Sequence, residues 1–311
     1  VSDIEIFNNK RYKALLASFC AIGWSLAYPL IKVGYGEFEI AADDLGGKVL
    51  FAGIRFFVAG LIILLFCKAS KAKFDIKGVN SIAWVLLLGL VNTALHYMFA
   101  YIGLGYNSGA RSTILDSLGS FLLIILSTIL FSDDRISSNK IIGCVLGFFA
   151  IALATIEPGD NLFADITFKG DGMILINAVF AALGGVITRF VSKKMNMMPA
   201  TGLSMAFGGM LMIAFGLIIK PKSVWNISLK GIFVLFILIM ISAVCFAIYN
   251  ELLAVYPISE ISIFNALIPV LGVIFSSVLL KEELKWQYIC SVIIVGIGIY
   301  LVNMRRKKPA E

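Results

Sequence analysis

Histidine is almost missing: His96 is the only one in 311 residues. One imidazole rules out an HExxH zinc site, which needs two on adjacent turns of a helix. Neither a Walker-type GxxxxGK[ST] loop nor a GxSxG nucleophile elbow occurs, so nothing marks an ATP cradle or an acyl-transfer serine. Cys20, Cys67, Cys144, Cys245 and Cys290 all fall inside apolar segments without metal-ligand spacing, and they read as small packing residues. No enzymatic activity, metal or cofactor is expected.

Charge is scarce as well. Only 14% of residues are Asp, Glu, Lys or Arg, against roughly 25% in a soluble domain. Hydrophobic residues make up 60% and the mean hydropathy is +0.96, an excess that no soluble core could absorb. A bilayer can, because each crossing helix takes ~20 mainly apolar residues. The formal net charge of +7 comes from basic residues at the ends of apolar runs, so it reads as membrane orientation and not as a nucleic-acid surface.

The apolar runs predict ten helices: 12–33, 49–67, 82–104, 110–131, 141–156, 173–191, 200–219, 232–249, 258–280 and 286–302. The polar stretch 157–172 divides them five and five. The first run is long enough to span and carries no obvious cleavage site, and is expected to act as a signal anchor. With both termini cytoplasmic, the inside segments hold 15 Lys and Arg and the outside ones eight, while Arg55, Arg111 and Arg189 lie in or at helix ends. This bias favours cytoplasmic termini. Because five is odd, the second unit would enter the membrane upside down relative to the first, the plan of transporters with a midplane site between halves.

Both units end alike, in LSTILFSDDRISSNKIIGCVLGFFAIALA (126–154) and FSSVLLKEELKWQYICSVIIVGIGIYL (275–301), with Asp134 superposed on Glu282. Further stretches are IGWSLAYPLIKVG (22–34), Arg55-Phe56, LGLVNTALHYMFAYIGLGYNSGARSTILDS (88–117), GDGMILINAVFAALGGVITRFVSKK (170–194) and NALIPVLGVIFSSVLLKEEL (265–284). Together they resemble the paired EamA repeats of the drug/metabolite transporter superfamily. The resemblance implies an all-α integral membrane fold of ten transmembrane helices as two inverted five-helix repeats, residues 12–156 and 173–303. A linker, 157–172, joins them and a basic cytoplasmic tail, 304–311, follows. It also implies a cavity formed by helices 1, 3, 4, 6, 8 and 9, and carriage of amino acids, metabolites or drugs. Ser25 where the family has Gly, Asp134 for the usual Glu and the lack of a helix 4 proline depart from the pattern.

Ionisable groups deep in a bilayer are costly and usually face a cavity or a partner. Asp116, Arg55 and His96 fall at depths within one turn of one another. Ser112, Asp116 and Ser120, and likewise Asn92 and His96, recur every fourth residue on one helix face. Asp116 and His96 are candidates for cavity lining and proton exchange; alternatively, His96 is a static hydrogen-bonding group and Asp116 is held by Arg55. Arg55 either anchors a substrate carboxylate or forms a structural ion pair, the second being favoured. Lys32, Arg111 and Arg189 lie near enough to helix ends to snorkel.

Trp24 and Tyr28, one turn apart, and Tyr249 could hold a solute by stacking. Ser262 and Asn265, beside Pro269, give helix 9 a polar side next to a freed carbonyl. Asn177, Thr188, Gly184 and Gly185 read as a close-packing surface, and Gly143 with Gly147 as a weak GxxxG match. The leading function is a multi-pass secondary transporter in the cell (inner) membrane, an exporter or exchanger of amino acid-like metabolites. Two alternatives remain: a multidrug or organic-cation efflux protein, and a non-transporting sensor or scaffold. Expected partners are the solute and membrane lipid, with a homodimer left open.

Overall fold

The computed structural model describes residues 7, 10–131, 137–155, 166–222, 224–256 and 258–303. Among them every regular element is a helix. We number ten helical segments: α1 (Lys10–Glu37), α2 (Leu45–Ala69), α3 (Gly78–Leu104), α4 (Gly109–Leu130), α5 (Ser138–Thr155), α6 (Phe168–Ser192), α7 (Met197–Ile219), α8 (Leu229–Val255), α9 (258–280) and α10 (Trp286–Asn303). Seven, α1 to α4 and α6 to α8, are long and apolar enough to cross a membrane, whereas 138–153, 267–280 and 286–298 are shorter apolar helices. This differs from ten full-length crossings. Asp134, most of the linker and the 304–311 tail lie outside the described residues.

Three helices depart from regular geometry where the expected pattern was continuous. α3 contains a π-helical stretch, Gly89–Leu95. α4 breaks at Ser117, whose N–H bonds to Ile114 O at 3.1 Å in place of the carbonyl one residue earlier. In α9 a 3-10 turn, Ile263–Ala266, precedes Pro269, whose ring excludes the carbonyl of Asn265 from the α-helical pattern. At the other extreme, α8 runs six residues past its expected end, because Asn250 and Glu251, which interrupt the apolar run, are buried in the helix. Asn250 donates to Thr201 Oγ1 at 2.8 Å. Phe168–Gly172, expected as linker, is a π turn that opens α6.

Helix packing follows one rule: adding five to each helix number maps the contacts onto themselves. α2 lies along α7 and α5 along α10; α1 packs on α8 and α9 as α6 packs on α3 and α4; α2 meets α8 as α7 meets α3. The α2–α7 seam is built from glycine. Gly46, Gly53 and Gly60 on one helix and Gly202, Gly209 and Gly216 on the other each recur every seventh residue. Gly60 faces Gly202, Gly53 faces Gly209 and Gly46 faces Gly216. The descending numbers make the two helices antiparallel, with backbones in direct contact as small residues allow in membranes.

Charge separates along the helix axes. At one end Glu37, Asp43 and Asp44 tie the α1–α2 loop to the α7–α8 loop: Lys222 Nζ reaches Asp43 at 2.7 Å, Lys222 N donates to Asp44 at 3.0 Å, and Lys230 reaches Glu37 at 2.5 Å. At the other end lie Lys68 in the last turn of α2, Lys71, Lys73 and Lys77 after it, and Lys194 over the Trp84 ring at 4.6 Å.

Candidate functional site

Between the halves lies a cavity of about 170 Å³. A water needs ~10–15 Å³ of such space, so about a dozen water-sized positions fit. Side chains from α1, α2, α3, α4, α6, α8 and α9 line it. Its polar groups include Asp116, Arg55, Asn92, His96, Tyr28, Ser120, Thr188, Asn250 and Asn265, set among Trp24, Tyr97, Phe246 and Tyr249.

Asp116 ends the first piece of α4. Its Oδ1 accepts from Asn177 Nδ2 on α6 at 2.5 Å, and the Tyr28 hydroxyl donates to it from α1. Both partners are neutral. Arg55 enters from α2, fully buried, and its Nε donates to Leu238 O at 3.0 Å and Ser242 Oγ at 2.7 Å, its Nη1 to Tyr101 Oη at 2.7 Å. These partners are neutral too. The ion pair expected of Arg55 is therefore absent: no carboxylate stands within ion-pair distance of it among the described residues. The guanidinium's forked donors are drawn instead to a backbone carbonyl and two hydroxyls, which fix its direction without cancelling its charge.

The aromatic wall is interlocked. Trp24 meets Tyr249 edge-on at 4.8 Å and Phe246 at 5.3 Å, while the His96 ring stacks on Tyr97 at 4.2 Å. Trp24 Nε1, His96 Nδ1 and Asn265 Oδ1 have no hydrogen-bond partner among the described residues, although Asn265 Nδ2 donates to Tyr249 Oη at 3.1 Å. Three unsatisfied polar atoms around one void are what a polar guest would answer.

Trp24, Tyr28, Asn92, His96, Asp116, Tyr249 and Asn265 thus share one void, whereas Ser112 and Ser262 do not. Ser112 is fully buried and Ser262 nearly so, away from the lining. Ser120 lines the cavity with Asp116, whereas Ser112, one turn before Asp116 in the same unbroken piece of α4, is packed away from it. Arg55, on a helix not expected to contribute, is part of the wall. Gly185 and Thr188, expected as packing, also line it, and Asn177 grips Asp116. Sequence spacing could not show that bond, because it joins α4 to α6.

One end of the cavity, near Leu104, is capped by a polar network. Asp171 accepts from Arg111 Nε at 2.7 Å and Nη2 at 3.1 Å, and from Asn107 Nδ2 at 3.1 Å. Lys32 Nζ donates to Asn107 O at 2.7 Å and stands 3.6 Å from Glu282 Oε1. Glu282 in turn accepts from Gly109 N at 2.8 Å and Ala110 N at 3.0 Å, the opening amides of α4. Lys32 and Arg111 therefore do not snorkel to headgroups: half-buried Glu282 and buried Asp171 claim them first.

The sequence model of the EamA-like transporter family matches residues 11–156 and again 168–304. The chain belongs to that family. It is similar to the uncharacterized transporter YvbV of Bacillus subtilis, 25% identical over 96% of this chain and 93% of that protein. An uncharacterized transporter of Haemophilus influenzae is 26% identical over 93% of this chain and 96% of its own length, and a chloroplastic WAT1-related protein of Arabidopsis thaliana is 26% identical over 83% and 63%. A solved crystal structure shares the fold, with a TM-score of 0.69 at 15% identity over 93% of this chain and 96% of that one. The chain is thus a multi-pass membrane transporter of the EamA type, as its paired motifs imply.

Proposed function

We propose that this transporter carries a small zwitterionic metabolite, amino acid-like in size and charge, by alternating access, as an exporter or exchanger. The observation that carries the reading is a carboxylate and a guanidinium in one cavity, each held by neutral partners and neither paired with the other. Leaving two desolvated charges uncompensated is expensive. A solute bearing both an ammonium and a carboxylate answers both at once, with Asp116 taking the first and Arg55 the second. An organic cation is favoured by Asp116 alone and opposed by Arg55.

Ten crossings in two inverted units are the architecture this requires. The antiparallel α2–α7 seam supports it, since corresponding helices of the two units run in opposite directions, and so does the recurrence of contacts on adding five. The lysine-rich end is assigned to the cytoplasm of the cell membrane, with both termini there.

Counterflow in proteoliposomes tests the solute. A neutral amino acid, its methyl ester (a cation) and its N-acetyl derivative (an anion) are offered to protein preloaded with the parent. Only the zwitterion should exchange, and carriage of the ester as fast as the parent defeats the assignment. Proton exchange through Asp116 or His96 is tested separately: Asp116→Asn should abolish acceleration of flux by a pH gradient, and flux that keeps its pH dependence in both Asp116→Asn and His96→Gln removes the proton role.

A further inference from the structure

A second depression lies outside the cavity, on the lipid-facing side where α2 ends. It is a groove of about 640 Å³ walled by Leu61, Leu64, Leu65, Phe74 and Leu203, with Lys68 and Lys71 at its mouth. The apolar wall follows the last two turns of α2, about 10 Å from Leu61 to Lys68 at 1.5 Å per residue. The chain then turns back at Lys71, where Ala72 N bonds to Cys67 O at 2.9 Å, and this return brings Phe74 alongside α2.

The lysines here are unanswered by the protein. Lys68 and Lys71 have no ion-pair partner among the described residues. Asp75, the one acid of the loop 70–77, is engaged elsewhere: both its oxygens accept from Asn196 N, at 2.9 and 3.1 Å. The equivalent turn after α7 is built differently, because there Lys222 reaches Asp43 and its N–H reaches Asp44. One end of the seam pairs Lys222 with an acid, and the other leaves Lys68 and Lys71 beside an apolar trough with none among the described residues.

We propose that this groove is a binding site for an anionic phospholipid of the leaflet that meets the lysine-rich end. One acyl chain lies along Leu61, Leu64, Leu65 and Leu203, where it removes exposed apolar surface from contact with looser lipid. The phosphate accepts hydrogen bonds from the ammonium groups of Lys68 and Lys71. A zwitterionic phospholipid fits the trough equally well, but its own ammonium competes for the phosphate, so the charge of the headgroup decides between them. The inference does not depend on what the central cavity carries.

Native mass spectrometry of the full chain, extracted in mild detergent and titrated with dioleoyl phosphatidylglycerol or dioleoyl phosphatidylcholine, tests it. Phosphatidylglycerol should be retained in preference. A lysine near an anionic headgroup is worth about five-fold in affinity, so Lys68→Gln with Lys71→Gln should lower phosphatidylglycerol affinity by ~30-fold and leave phosphatidylcholine unchanged. Lys73→Gln with Lys77→Gln removes the same charge from the same end, away from the groove, and should cost under about five-fold. A Leu64→Trp, Leu203→Trp variant fills the trough with both lysines in place and should also lose the lipid. Equal retention of the two lipids, equal losses in the two lysine pairs, or competition by inorganic phosphate alone overturns the proposal.

Discussion

Alanine in place of Gly209 should destabilise this protein, although the same replacement in another helix should not. A Cβ on Gly209 would stand 2.3 Å from Phe57 N, 2.7 Å from Phe57 Cα and 2.9 Å from Gly53 O. All three are backbone atoms, so no rotamer change relieves the clash; α2 and α7 must separate by about 1 Å, loosening the seam above and below. Overpacking of this kind costs ~1–3 kcal/mol, and with rigid neighbours the upper half of that range applies. Alanine's better helix propensity returns ~1 kcal/mol. The net loss is about 1–2 kcal/mol, a fall of roughly 2–5 °C in the unfolding midpoint for a domain of this size. Gly296 in α10 has nothing within 4 Å of a built Cβ, so Gly296→Ala keeps only the propensity gain. Thermal unfolding of both variants in one detergent compares the two signs. If Gly209→Ala unfolds at or above the wild-type midpoint, the helices are not in backbone contact and the seam is misread.

Three other outcomes follow from the polar contacts. Asp171→Asn leaves Arg111 buried without its carboxylate and should cost ~3–5 kcal/mol, whereas the double variant Arg111→Met, Asp171→Leu should recover most of it; a thermal melt of all three proteins decides. Glu282→Gln keeps an acceptor on the α4 amides but loses the charge, and should cost ~1 kcal/mol, with Glu282→Ala costing ~2 kcal/mol, read in the same melt. The exposed Asp43–Lys222 pair behaves differently. Lys222 holds the Asp43 carboxyl below its ordinary range, so the pair's contribution is present above that range and disappears as pH falls through the lowered value. Solvent screens it, and Lys222→Ala should leave the melting midpoint unchanged at both pH 7 and pH 5.

Hydrophobic run length located nearly every helix, because a bilayer demands the same thing of each: enough consecutive apolar residues. It failed where a polar residue is satisfied inside the helix, as at Asn250, or where the run continues through a change of helical type, as at Gly89–Leu95. Seven of the nine proposed binding residues meet at one void, and four-residue spacing accounts for Trp24 and Tyr28 in unbroken α1. Ser112 shares one unbroken piece of α4 with Asp116 yet is packed away from the void, a distinction that spacing alone does not make. The Arg111–Asp171 and Asp116–Asn177 bonds join distant stretches and leave no local trace. The seven-residue glycine period of α2 and α7, by contrast, was there to be found: two matching series in equivalent helices of the two units point to a shared seam.

Glu282 lies between α9 and α10, yet its two oxygens sit on the first amides of α4 in the opposite unit. Parting the units at that face would strip those amides of their acceptor until water replaced it, and parting them at the far face would likewise strip Asn196 N of Asp75. Under alternating access each mouth would then open only by freeing a carboxylate from backbone amides of the other unit, so the empty carrier's resting side would be a balance between two small clasps.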